Sequence, residues 1–195
     1  MGFSISELGN LKVSEPVDLS ELAPKGPAFP RKGRYTLRVP EDLDPTFTFG
    51  STQAGYLSAT IDPTVTGPSN GGYTVRFVRM SAKTYREKVG EDGSRTTSQI
   101  ANFLAACGDK RTLTGDPEET VAAILEQSGK EFHAQLDWRA YNKRTGEAVE
   151  GMENFPSDGQ GGYLPWVLDN EDLDEKGKPK RIRANIFVRR FYPAR

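Results

Sequence analysis

The sequence predicts a mainly β protein with one or two helices inserted between its third and fourth strands. Only 35% of its 195 residues are hydrophobic, and 20 glycines and 13 prolines interrupt the chain, which suits short strands joined by turns. Apolar and polar residues alternate in several short segments, as they do in half-buried strands. Between these segments, one region follows the period of a helix instead.

Composition and motifs exclude several classes of protein. Cys107 is the only cysteine and His133 the only histidine, so an intramolecular disulfide and a structural zinc site are both excluded. No apolar run approaches the roughly 18 residues of a membrane span, and the start shows no secretory signal. The motifs of phosphate-binding loops, serine hydrolases and zinc proteases do not occur. We therefore expect a cytoplasmic protein without membrane association, cofactor, metal or catalytic activity.

The first 30 residues are predicted to be an N-terminal arm, extended or partly disordered. Their apolar residues show no period, and Pro24, Pro27 and Pro30 hold the backbone extended. Residues 31–195 are then expected to form a single domain.

Three strands are predicted next, at residues 34–39, 55–61 and 73–80. Successive side chains of a strand point to opposite faces, so Arg34 and Arg38 are expected outward on the first strand and Tyr56 outward on the second. On the third strand the same alternation places Tyr73, Val75 and Phe77 on one face and Thr74, Arg76 and Val78 on the other. Arg79 is expected to emerge where that strand bends. The Gly- and Pro-rich turn at 67–72 predicts that strands two and three form a hairpin.

Two helices follow. The first has an apolar stripe at the spacing i, i+3, i+4, i+7, formed by Ile100, Phe103, Leu104 and Cys107. The second is expected to begin at Asp116 as its cap, with Pro117 in the first turn, a capping box through Glu119, and an end at Gly129. Its predicted buried face consists of Val121, Ile124 and Leu125.

The last two strands are predicted at 131–141 and 181–191. The first turns Phe132, Ala134, Leu136 and Trp138 inward, and His133, Gln135, Asp137, Arg139 and Tyr141 outward.

Residues 146–180 are predicted to be a long loop. Its aromatic residues Phe155, Tyr163 and Trp166 either fold back as a lid, stack on bases or contact a neighbouring subunit. Its acids between 169 and 175 are interpreted as a solvated charge run, and we hypothesise that they cover the basic last strand when no nucleic acid is bound.

This order of three strands, helices and two strands is that of the five-stranded OB-type barrel. The segments Lys32–Arg38, Ala59–Phe77 and Gly129–Leu136 contain "KG-x-Y" and "GK-x-F-x-A" motifs. Together with a basic and aromatic last strand, they resemble phage-encoded OB-fold single-stranded DNA-binding proteins. The resemblance implies non-catalytic binding of single-stranded DNA in replication or recombination, with replication or recombination proteins as further partners.

The residues themselves also indicate nucleic-acid binding. Residues 176–195 carry eight Lys and Arg and no acid, and period two places cations beside aromatic rings on one face. Cations hold phosphates and exposed rings stack unpaired bases, with little sequence preference. The predicted binding residues are Arg34, Arg38, Tyr56, Arg76, Tyr85, Arg86, Arg139, Tyr141, Arg181, Arg183, Phe187, Arg189 and Phe191.

Other interpretations remain open from the sequence. The basic last strand is also typical of an edge strand that its charges protect from aggregation. The main functional alternative is a structural or assembly protein, such as a virion component, whose arm and aromatic loop bind neighbouring subunits. A protein-binding module on the same barrel is a third. Both oligomers and monomers are compatible with the sequence.

Overall fold

The computed structural model describes residues 29–49, 55–67, 70–91, 93–142 and 145–193. The arm predicted over residues 1–30 lies outside the described residues, apart from its last two. The strands are β1 (Gly33–Arg38), β2 (Thr46–Phe49), β3 (Leu57–Ile61), β4 (Thr64–Thr66), β5 (Val78–Ser81), β6 (Tyr85–Val89), β7 (Gly93–Thr97), β8 (Glu131–Tyr141), β9 (Ala148–Glu150), β10 (Trp166–Leu173), β11 (Pro179–Arg183) and β12 (Asn185–Tyr192). The helices are α1 (Gln99–Ala106) and α2 (Pro117–Leu125).

The protein is mainly β, as predicted, and consists of several antiparallel sheets. The largest sheet has the order β12-β8-β1-β4, and β9 adds to β8. The second has the order β2-β3-β5, while β6–β7 and β10–β11 are two-stranded ribbons. None of these sheets closes into a barrel within the described ranges.

Strand β8 forms the centre of the largest sheet, with the bounds that alternation predicts. Its inward residues Phe132, Ala134, Leu136 and Trp138 are all buried, as expected. The outward position Asp137 differs from the prediction because it is only 1% exposed. Phe103 from α1 packs edge-to-face on Phe132, so the helix covers the inner face of this sheet. The indole N–H of Trp138 donates to the carbonyl oxygen of Pro30, which fixes the start of the described chain to the core.

The predicted hairpin of strands two and three is present, but the third strand is not continuous over residues 73–80: β5 begins at Val78, and an irregular turn at residues 76–77, called a bulge below, interrupts the pairing. Residues 58–61 pair with 78–81, whereas Thr64 pairs with Thr74, so the second segment contains one extra residue. The bulge reverses the faces that follow it. Val78 and Met80 are buried, and Phe77, predicted inward, is 77% exposed.

Both predicted helices are present, and the second differs in detail. Ser98 caps α1, and Ile100, Phe103 and Leu104 are buried as expected. Asp116 caps α2 by accepting a hydrogen bond from the Glu118 N–H at 3.1 Å. Glu119 does not complete the predicted capping box, because its carboxylate accepts from Thr114 instead. The buried face of α2 consists of Thr120, Ala123 and Ile124, while Leu125 is 43% exposed.

The prediction of a long loop at 146–180 is wrong. This segment contains β9, a short 3-10 helix (Met152–Asn154), and the ribbon formed by β10 and β11. Phe155 is buried against Trp138 with ring centroids 5.6 Å apart, and Tyr163 also packs on the core. These two rings therefore pack on the core, while a lid over a barrel end stays a prediction.

The predicted last strand is divided in two and contains a second bulge. Ala184 separates β11 from β12, and the register of β12 against β8 shifts between Val188 and Arg190. The extra residue reverses the face of the strand end. Arg190 lies opposite outward Gln135, and Phe191 lies opposite inward Ala134. The outward prediction for Phe191 is therefore wrong.

Among the described helices, none is long and apolar enough to cross a membrane.

Candidate nucleic-acid interface

A trough runs along the open edge of β12. It consists of two adjoining grooves of about 910 and 420 Å³, which share Val78, Arg79, Gln99 and Val188 in their walls. Among the described strands, β5 pairs only with β3, and β12 only with β8. The trough therefore lies between two strand edges that no neighbouring strand covers.

Positive charge dominates the wall of the trough. The described lining residues include seven cations and one carboxylate, Glu87. The cations are Arg76, Arg79, Lys88, Arg139, Arg183, Arg189 and Arg190. A concave site lined by one sign of charge concentrates oppositely charged ligands, so the trough is suited to a polyanion.

The cations differ in whether a carboxylate already holds them. Within the described ranges, Arg76, Arg79 and Arg183 form no ion pair with another residue. Arg189 donates a 2.8 Å hydrogen bond to the buried carboxylate of Asp137, and this bond raises the pKa of Arg189. Lys32 also approaches Asp137, at 3.6 Å. No carboxylate among the described residues therefore competes with an anion for Arg76, Arg79 and Arg183.

Aromatic rings lie beside these cations. The guanidinium of Arg139 lies 3.8 Å from the centroid of the Phe187 ring and donates to the Tyr141 hydroxyl at 3.0 Å. At the other end of the trough, Tyr85 is 43% exposed, and its hydroxyl accepts from the Asn102 side chain at 2.9 Å. Rings and guanidinium planes held in this way provide surfaces on which bases can stack.

Phe77 is the most exposed of the large hydrophobic residues in the described chain. Its backbone has φ +59°, and its N–H donates to the Asp62 carboxylate at 2.6 Å. A left-handed conformation is strained for a bulky residue, and such strain concentrates at functional positions. The bulge turns this ring away from the core and into the wall of the trough.

The structure brings together eight of the thirteen predicted binding residues. Those that line the trough are Arg76, Tyr85, Arg139, Tyr141, Arg183, Phe187, Arg189 and Phe191. Phe191 contributes only an edge, because its half-buried ring packs on Phe103 and Phe132 with centroids 5.7 and 5.9 Å apart. It is therefore a core residue rather than an open stacking surface.

The other five predicted residues do not line the trough. Arg38 forms a 2.8 Å ion pair with Glu131 at the far end of β1. Arg34 stacks on Tyr192 at 4.3 Å, and Arg181 stacks on Trp166 at the same distance. Tyr56 and Arg86 are exposed elsewhere on the surface. The structure therefore does not bring all predicted contacts into one site.

The trough also contains residues that the sequence did not indicate as binding residues. Phe77 and Arg190 face it only because of the two bulges, and neither bulge is visible in the alternation of apolar residues. Lys88 shares a face of β6 with Arg86 by period two, yet Lys88 lines the trough and Arg86 does not. Arg79 was not among the predicted binding residues, but it was expected to emerge where its strand bends, and it lines the trough as the outward residue of β5.

The acids between 169 and 175 lie on or directly after β10, beside β11 and away from the trough. Asp169 and Lys180 are paired positions on β10 and β11, and Asp172 forms a 2.9 Å ion pair with Lys180. None of these acids lines the trough. The hypothesis that they compete with nucleic acid is therefore not supported by their position.

The fold and the trough together define a mainly β protein with a positively charged, aromatic cleft. Comparison of the chain with protein-family models, curated proteins and solved structures gives no match. Among the described residues, no group of His, Cys, Asp and Glu could hold a metal ion.

Proposed function

We propose that this protein binds single-stranded DNA in the trough, with little sequence preference and without catalysis. The observation that carries the proposal is the convergence of exposed rings and arginines that no described carboxylate holds, between two open strand edges. Phosphates supply sequence-independent attraction, and only unpaired bases can stack on protein rings. Its role in phage-like DNA replication or recombination, implied by the resemblance, is part of the same proposal.

We also propose that the strands form an OB-type barrel that is open on one side. Chain order and pairing support this: β1 is followed by the β3–β4 segment, β5, the trough, β12, β8 and then β1 again. Each pairing in this series is antiparallel, so β5 and β12 run in the same direction. The five-stranded OB barrel is itself partly open, and it binds oligonucleotides on the face of its second and third strands.

The cations that form no ion pair with a described carboxylate bind the phosphates. Arg76 and Arg79 flank Phe77 in sequence, and Arg183 enters the same groove from the other wall. Arg183 lies 5.4 Å from the centroid of the Phe29 ring, which restricts its movement. Phosphates on these arginines bring the adjoining bases within reach of the exposed ring of Phe77.

Two sites for base stacking differ in what already lies on the ring: Phe77 is exposed, and Phe187 is covered on one face. Phe77 has no ring or guanidinium on it among the described residues, whereas Arg139 already covers one face of Phe187. A base can stack on Phe77 directly and on the outer face of the Arg139 guanidinium. Each such contact is worth about 1–3 kcal/mol.

Fluorescence anisotropy with a labelled oligothymidine tests the proposal. Four trough cations lack an ion pair with a described residue, namely Arg76, Arg79, Lys88 and Arg183. Four phosphate contacts give a salt slope of about −2.8, so affinity is expected to fall about 50-fold between roughly 50 and 200 mM salt. The absence of binding at the lower salt concentration would refute the proposal and favour the structural or assembly role.

A matched pair of variants locates the binding. The double variant Arg76→Gln/Arg79→Gln removes two trough charges and is expected to reduce the magnitude of the salt slope by about 1.4. The control Lys110→Gln/Lys178→Gln removes two exposed charges that do not line the trough. Equal effects of the two double variants would show that binding depends on net charge alone and not on the trough.

A further inference from the structure

Glu87 is the only carboxylate among the described residues that line the trough. It lies on β6, and its side chain is 19% exposed. One oxygen, Oε1, lies 3.5 Å from Nη2 of Arg190 on β12. The other, Oε2, accepts from Nε and Nη2 of Arg95 on β7, at 3.2 and 3.0 Å. Glu87 thus connects the β6–β7 ribbon to the edge of the trough.

The rest of the ribbon is held to α1 and not to β12. Asn102 of α1 is buried, donates to the Tyr85 hydroxyl at 2.9 Å and accepts from Arg95 at 3.0 Å. These contacts anchor both strands of the ribbon independently of Arg190. The Glu87–Arg190 pair, with Arg190 58% exposed, is the longer and more solvated contact. Exposed pairs of this kind contribute little to stability.

Resting on the proposed function, we infer that Glu87 occupies the phosphate position on Arg190 and thereby lowers the affinity of the trough for nucleic acid. A carboxylate and a phosphate offer the same guanidinium similar charged oxygen acceptors, so one replaces the other. Binding then requires a backbone phosphate to displace Glu87 from Arg190. Arg95 retains Glu87 through its two hydrogen bonds, so the ribbon stays in place during the exchange.

The variant Glu87→Gln tests this inference in the full-length chain. Glutamine keeps an oxygen that can accept from Arg95, but it removes the charge that holds Arg190. The affinity for labelled oligothymidine at low salt is expected to rise about three- to thirty-fold. The salt slope is expected to steepen by roughly 0.7, because one further cation contacts phosphate.

Glu91→Gln is the matched control. Glu91 is an exposed acid in the turn of the same ribbon and does not line the trough. Its removal changes net charge equally, so only a general electrostatic effect is expected. A double-mutant cycle adds the second control. In an Arg190→Gln background the gain from Glu87→Gln should disappear, while the small effect of Glu91→Gln should persist.

The outcomes separate the inference from the proposed function. A wild-type chain that fails to bind oligothymidine at low salt refutes the proposed function and with it the inference. Binding by the wild type with equal effects of Glu87→Gln and Glu91→Gln overturns the inference alone. A gain from Glu87→Gln that persists without Arg190 also overturns it, because the carboxylate would then act on another group. Thermal unfolding of each variant shows whether the ribbon remains folded.

Discussion

Replacement of Phe77 by glycine and by alanine separates the stability of the bulge from its role in binding. Both variants remove the same exposed ring, so both lose the same small buried area. They differ only in the backbone at φ +59°. The left-handed conformation costs a residue with a Cβ about 1–2 kcal/mol. Glycine avoids that cost but loses roughly 0.5–1 kcal/mol through the entropy of its unfolded chain.

The difference of these terms predicts that Phe77→Gly is more stable than Phe77→Ala by about 0.5–1 kcal/mol. This order is the reverse of that at ordinary strand or helix positions, where alanine is favoured. Urea denaturation of both variants, followed by circular dichroism, measures the difference. A more stable alanine variant would show that the backbone at this position is not left-handed.

The same two variants should bind oligothymidine equally weakly. Loss of one stacking contact costs about 1–3 kcal/mol, so the dissociation constant is expected to rise about 5- to 150-fold in both. Phe77→Trp should retain binding, because the indole also stacks. Phe49→Ala is the control, since Phe49 is 65% exposed on β2 and does not line the trough. Wild-type affinity in Phe77→Gly would refute the role of this ring.

Three further predictions concern the folded chain. Burial raises the pKa of Cys107 to about 12, so its alkylation by iodoacetamide at pH 8 should be at least about 100-fold slower in the native than in the urea-unfolded protein. The folded state holds the thiol proton of Cys107 more tightly than the unfolded state, so the free energy of unfolding should decrease as pH rises above about 9. A free energy of unfolding that stays constant between about pH 9 and 11 would contradict the raised pKa of Cys107. Asp116→Ala removes the cap of α2 and should destabilise the fold by about 1 kcal/mol in urea denaturation, whereas Asp116→Asn should be nearly neutral. Asp137→Asn removes the charge that Arg189 and Lys32 contact and should lower the free energy of unfolding in urea denaturation; an unchanged free energy would mean that this buried charge contributes nothing to stability.

The pattern of apolar and polar residues predicted the buried face correctly where a strand or helix is regular along its whole length. Strand β8 keeps its period over eleven residues, so its bounds and its buried face both follow from the sequence. The stripe of α1 is equally regular, and its buried residues Ile100, Phe103 and Leu104 were predicted, whereas the buried Asn102 and Ala106 were not. In both elements, local propensity and burial favour the same structure.

Alternation failed at the two bulges. Phe77 and Val78 are both apolar, so the sequence does not show which of them faces the core after an extra residue enters the strand. At Arg189 and Arg190 two cations are adjacent, and again either could face outward. Each bulge reverses the faces of all following residues, which is why Phe77 and Arg190 were not predicted at the site.

The burial of Asp137 and the trough itself depend on contacts between distant segments. Period two places Asp137 outward, and it does lie on that face, but Lys32 and Arg189 cover it from other strands. Likewise, β5 and β12 are about a hundred residues apart in sequence, and no local pattern indicates that their edges face each other. The types of residue that bind could be predicted, whereas the members of one site could not.

Backbone amide chemical shifts during titration with unlabelled oligothymidine test most directly where nucleic acid binds. If the trough is the binding site, the largest changes will occur in residues 76–79, in β6 and in β12, and they will diminish at high salt. Changes concentrated on β2 or α2, or spread evenly over the surface, would contradict binding in the trough.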